Sequence, residues 1–101
     1  MTAVITWTED DMPRYVIERT FPDGLGLPVS AEGAASSRAI CKNNGDEGVH
    51  WVHSYVSTDK KTTYCVYDGP SPDAIRRAAQ RNGLPVDRIT EVRVLDPFFY
   101  Y

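Results

Sequence analysis

Hydrophobic and polar positions along the chain fall into short blocks that change period. RYVIERT (14–20) is rich in β-formers, and FPDGLGLP (21–28) stops it with two prolines and two glycines. SAEGAASSRAICKNNG (30–45) follows, with Ser30 placed to cap a helix, Glu32 in its first turn, and Asn43, Asn44 and Gly45 at its end. GVHWVHSYVS (48–57) and KKTTYCVYDG (60–69) are β-rich and flank a polar turn around Thr58, Asp59 and Lys60, the pattern of an antiparallel hairpin. The second helix has the clearest signals. Ser71 stands at the N-cap, Pro72 at the first helical position and Asp73 in the first turn, and Gly83 supplies the left-handed stop before Leu84 and Pro85. Ile75, Ala78, Ala79 and Asn82 mark its inner face, and Arg76, Arg77, Gln80 and Arg81 its outer one. RITEVRVL (88–95) alternates again as a last strand.

The order is strand, helix, strand, strand, helix, strand. It predicts an α+β, ferredoxin-like βαββαβ sandwich: a four-stranded antiparallel sheet with both helices on one face and the other face open. Residues 1–11 read as an N-terminal arm, and 12–101 as a single domain.

A chain of 101 residues with 42% apolar content supplies one modest core. Association into a homodimer, as a dimeric α+β barrel, is the expected way to complete it. A formal charge of −3 gives no polyanion-binding footprint, so nucleic acid and anionic membranes are excluded as expected partners. The sequence has no apolar run of bilayer length and no basic-then-apolar leader, which predicts a cytoplasmic protein. Cys41 and Cys65 are expected to be reduced thiols.

Both histidines, one of two tryptophans and three of six tyrosines fall within 48–69. Strict alternation sorts this hairpin into Val52, Ser54, Val56, Tyr64 and Val66 on a helix-covered face, and Trp51, His53, Tyr55, Cys65 and Tyr67 on the open one. In the outer strands it puts Tyr15, Ile17, Val92 and Val94 in the core, leaving Glu18, Glu91 and Arg93 for the open face. A one-residue slip would reverse part of this grouping. His50 and His53, three apart, point to opposite faces of a regular strand, and only a bulge would unite them.

His53, Cys65, Glu18 and Glu91 together offer donors for nickel, copper or zinc, and a site shared across a dimer suits so few ligands. The plainer reading makes His53 an interface residue and Cys65 a small buried side chain. The DGLG loop has neither dinucleotide nor Walker spacing, and reads as a turn. The arginines of the second helix read as a solvated face. No nucleophile motif is present. The ending LDPFFYY is expected to fold over the sheet or against a partner subunit.

The strings YVIERTFP, WVHSYVSTDK, TYCVYDGPSPDAIRRAAQRNGLP and ITEVRVLDP, within residues 14–97, resemble the small bacterial family DUF4242, also described as nickel-binding proteins. The resemblance implies a ferredoxin-like fold, homodimerisation and nickel binding, and offers Glu18, His53, Tyr55, Cys65 and Glu91 as ligand or pocket positions. The leading expectation is a dimeric, non-catalytic protein that binds nickel or a similar divalent ion. The alternative is a small-molecule-binding or oxidative enzyme of the dimeric α+β barrel type, with Trp51, Tyr55, Tyr67 and Arg93 around a pocket on the open face. A purely structural dimer module is the third reading.

Overall fold

Period-two burial in the first strand sets the frame. A computed structural model describes residues 12–26 and 31–100, and β1 (Arg14–Thr20) buries Tyr15, Ile17 and Arg19 at alternate positions. It is followed by α1 (Ala31–Asp46), β2 (His50–Val56), β3 (Thr62–Asp68), α2 (Pro72–Asn82) and β4 (Arg88–Val92). A short 3-10 turn closes the described chain at Pro97–Tyr100. The strands form one four-stranded sheet in the order β2-β3-β1-β4, antiparallel at every pairing. This is the expected βαββαβ architecture, an α+β fold compatible with a ferredoxin-like arrangement.

Tyr15 and Ile17 pack with Cys65 and Tyr67 of β3, and against Ala74, Ile75 and Ala78 of α2. Small side chains on the inner face of α2 let the helix lie close to the sheet. Gly69, at the end of β3, is part of the same contact. A Cβ there would meet Val49 Cγ2 at 3.3 Å and Ile75 Cγ1 at 3.4 Å, tight enough to push the strand end away from α2.

The predicted caps of α2 are in place. The Ser71 hydroxyl accepts from the Ala74 amide at 3.2 Å, and Gly83 is left-handed at φ 66°, its amide closing the last turn. Side chains then tie α2 to the end of α1. Asn43 donates to Asn82 at 2.8 Å and Asn82 donates to Asn44 at 3.0 Å, while Arg77 donates to Glu47 and Arg81 to Asp46, each at 2.9 Å. The arginines expected to be merely solvated are thus also helix–helix ties.

Several sequence expectations fall elsewhere. The arm 1–11 and the Ser30 cap lie outside the described residues. The last strand ends at Val92, so Val94 is not in the core but exposed. Leu95 and Phe98 are exposed at 67% and 77%, so this part of the terminal aromatic segment does not cover the sheet. Among the described residues, no helix is long and apolar enough to cross a membrane.

Candidate functional site

The hairpin decides which side chains share a face. Six residues of β2 pair with six of β3, and the register shifts between Trp51 and His53: Trp51 stands opposite Tyr67 and His53 opposite Val66, leaving Val52 as an extra residue. This is a β-bulge. Before it His50 is opposite Asp68, and beyond it Ser54 is opposite Cys65 and Tyr55 opposite Tyr64. Side chains directly opposite one another lie on the same face. His50, His53 and Tyr55 therefore share the open face with Asp68, Val66 and Tyr64, while Trp51 and Ser54 turn under the helices with Tyr67 and Cys65.

The open face carries a polar end and an aromatic strip. Arg14, opposite Asp68 on the other side of β3, makes a two-pronged pair with it: Nε donates to Oδ1 at 2.7 Å and Nη2 to Oδ2 at 3.1 Å. Those hydrogen bonds, reinforced by the charges of Arg14 and His50, hold the Asp68 carboxyl below its ordinary range despite some desolvation. One pleat further along, the His53 ring meets Tyr55 edge-on, with centroids 5.2 Å apart. Tyr55 and its cross-strand neighbour Tyr64 are exposed at 65% and 40%. Glu18, also on this face, stands opposite Tyr64 and lies 3.9 Å from Arg88.

The expected site group is therefore divided. His53, Glu18 and Tyr55 are on the open face as read from the sequence. Cys65, Tyr67 and Trp51 are not: the β1–β3 register sets Cys65 beside Ile17 and Tyr67 beside Tyr15, in the core, and the bulge turns Trp51 inward with them. Conversely Tyr64 and Val66, expected on the helix side, are on the open face, while Ser54 faces inward as expected and accepts from Trp51 Nε1 at 2.9 Å. Glu91 stands opposite Tyr15, on the helix side of the edge strand, and Val92 falls opposite Arg14 on the open side, because β4 buries Ile89 against Ile17. Glu91 adds to burial in pushing the Tyr15 phenol up, while Arg93 opposes them. Arg93 lies beyond the strand, where it contacts Glu91 at 3.4 Å and the Val92 carbonyl at 3.0 Å.

Trp51, Tyr67 and Cys65 line a cavity of about 240 Å³ between the sheet and the helices, closed on other sides by Phe21, Leu25 and Ile40. Trp51 and Tyr67, expected as pocket residues of the open face, line it from the helix side instead. Among the described residues its one charged wall residue is Arg19, buried at a core position of β1, and the alternation Tyr15, Ile17, Arg19 is the sequence signal for it. The bulge that alone could unite His50 with His53 is present, though nothing in the sequence marks it.

A metal tests this arrangement differently on its two faces. Two imidazoles on one face suit nickel or a neighbouring first-row ion. Cys65 cannot join them from the core, and Asp68 is already engaged by Arg14. Among the described residues, no three His, Cys, Asp or Glu side chains come together to hold an ion. One chain thus presents part of a coordination sphere.

Comparison with known proteins agrees with the fold and adds a family. The crystal structure of SCO4226 from Streptomyces coelicolor A3(2) superposes with a TM-score of 0.62, covering 82% of this chain and 99% of that one at 24% identity. That likeness supports the fold. Among curated proteins none matches the chain. Residues 15–92, which run from the first core tyrosine through the last strand, match the family described as "Nickel responsive protein SCO4226-like". The chain belongs to this SCO4226-like family of nickel-responsive proteins.

Proposed function

We propose that this protein is a non-catalytic, nickel-responsive metal-binding homodimer, in which the open faces of two sheets come together and histidines from both chains share a nickel or similar divalent ion. The observation that carries this reading is the bulge at Val52, which puts His50 and His53 on one face. Among the described residues one chain does not bring enough donors together, and imidazoles contributed by two chains supply what one lacks. The family description supports nickel as the ion. Exposed Tyr55 and Tyr64, beside half-buried Val16 and the buried edge of Val66, give the same face an apolar surface suited to a second copy.

Native mass spectrometry of untagged protein, before and after nickel with zinc as control, tests the reading. The expected result is a dimer that takes up nickel in fixed stoichiometry and loses it in both His50→Ala and His53→Ala, while Cys65→Ala binds as before. A monomer that ignores both metals, or uptake unchanged in both histidine variants, overturns it.

A further inference from the structure

Arg19 is 2% exposed, yet no carboxylate among the described residues pairs with it. Its guanidinium has five N–H groups. Nη1 donates to the Pro85 carbonyl at 2.7 Å, and Nη2 makes a long bond of 3.4 Å to the Tyr67 hydroxyl. Nε, equally buried, has no partner. The Tyr67 ring lies 5.8 Å from the guanidinium carbon, a contact that favours the cation but does not neutralise it. A buried cation without a counter-charge is among the costlier arrangements a small domain can keep.

Tyr67 is not the missing anion. Burial pushes its phenol above the ordinary range, more than the opposing Arg19 charge pulls it down, so it remains a neutral hydroxyl at physiological pH. That hydroxyl accepts from Arg19 and keeps its own proton to donate. Asn44, 1% exposed, turns its Nδ2 toward the Tyr67 hydroxyl, which favours the phenolate slightly but falls short of a full hydrogen bond. Its orientation is fixed, because Oδ1 accepts from Asn82. The inner end of this region is thus rich in donors and short of acceptors.

Next to these donors is the cavity of about 240 Å³, whose walls are otherwise mostly apolar: Phe21, Leu25, Ile40, Trp51 and Leu84. An apolar cavity of about 150 Å³ already takes up benzene, so this one has room for a comparable body with a polar head. Val56, at the rim, is 46% exposed, which brings the cavity to the surface. A concave apolar chamber with a cationic side chain in its wall is the chemistry that recognises an amphipathic anion.

We infer that the cavity between sheet and helices is a binding site for a small organic acid, its carboxylate held by Arg19 and its aliphatic or aromatic body lying against Trp51, Phe21 and Leu84. The site is on the opposite side of the sheet from His50 and His53 and does not depend on the metal. A carboxylate is planar and has two acceptor oxygens, the shape a guanidinium edge matches with two parallel hydrogen bonds.

The test uses the intact chain, treated with chelator so that metal plays no part. Phenylacetate, isovalerate and hexanoate are titrated in turn, with phenylacetamide as the neutral control, and the Arg19 Nε–H resonance is followed by NMR. At least one acid is expected to move that resonance with a Kd below about 1 mM. The amide should bind at least about tenfold more weakly than its acid. Arg19→Met, of similar length but neutral, should lose this preference. The inference is overturned if no acid moves the resonance up to about 10 mM, if acid and amide bind equally, or if Arg19→Met binds the acid like the unmutated chain. The first two results come from unmutated protein, so they decide the matter even where Arg19→Met does not fold.

Discussion

Trp51 and His53, two positions apart in β2, lie on opposite faces of the sheet: the indole is under the helices opposite Tyr67, and the imidazole is in the open opposite Val66. In a regular strand residues two apart share a face. Val52 absorbs the difference, and which side chains of β2 share a face with one another depends on that one extra residue.

Deleting Val52 should therefore be tolerated. Without it His50, Trp51, His53 and Ser54 alternate without a break opposite Asp68, Tyr67, Val66 and Cys65, and each side chain keeps its face. Val52 is only half-buried, so the loss in stability is expected to stay below about 2 kcal/mol. Urea unfolding gives the cost, and NMR contacts between Trp51 and Tyr67 report the register. Loss of those contacts in a folded protein would show that β2 re-registers instead.

The aromatic pair on the open face gives a second prediction. Tyr55→Glu puts a charge where two open faces would meet, opposite Tyr64 and beside the His53 ring. Burying an unpaired carboxylate at an interface is unfavourable. If two chains pair through this face as proposed, sedimentation velocity should show that association lost, with nickel uptake falling alongside it. A Tyr55→Glu dimer as tight as the original would mean that association uses another surface.

The difference between what could be read in advance and what could not is physical. Helix α2 was legible almost to the residue because its start and stop are local events: the Ser71 hydroxyl bonding three residues on, proline at the first helical position, and Gly83 in a conformation other residues avoid. Strand order and hairpin pairing followed from β-rich runs and their spacing. Faces followed only in part: those of Tyr15, Ile17, Glu18, His53 and Tyr55 do, but the match between β2 and β3 does not, because a face is a parity count along a strand and one inserted residue reverses it for every position beyond. Nothing in the type of Val52 signals a bulge. Arg19 was overlooked for a different reason. Charge normally marks the outside of a strand, whereas here it occupies the third inward position after Tyr15 and Ile17.

The same local logic predicts how α2 fails. Ser71→Ala removes the acceptor for the Ala74 amide and should cost about 1 kcal/mol. Ile75→Ala empties a position only 1% exposed, between Val49, Gly69 and the sheet, and should cost about 3 kcal/mol. Chemical denaturation of the two variants should rank them in that order. Equal losses would mean that the wall around Ile75 collapses into the space.

The pair formed by Arg14 and Asp68 makes stability depend on pH in a defined direction. The carboxyl of Asp68 is held below its ordinary range, chiefly by the Arg14 hydrogen bonds, so the folded state binds its proton less readily than the unfolded chain. The stabilisation is then complete above the ordinary carboxylate pKa of about 4 and disappears as pH falls through the lower folded value. Both side chains are partly exposed, at 34% and 22%, so solvent screening limits the effect to about 1 kcal/mol. Urea unfolding of the unmutated chain and Asp68→Asn, followed from pH 7 to about 2, should show a gap at neutral pH that closes only on the acid side. A gap that stays constant over that range would assign the loss to packing around the strand end, and the ion pair would contribute nothing to folding.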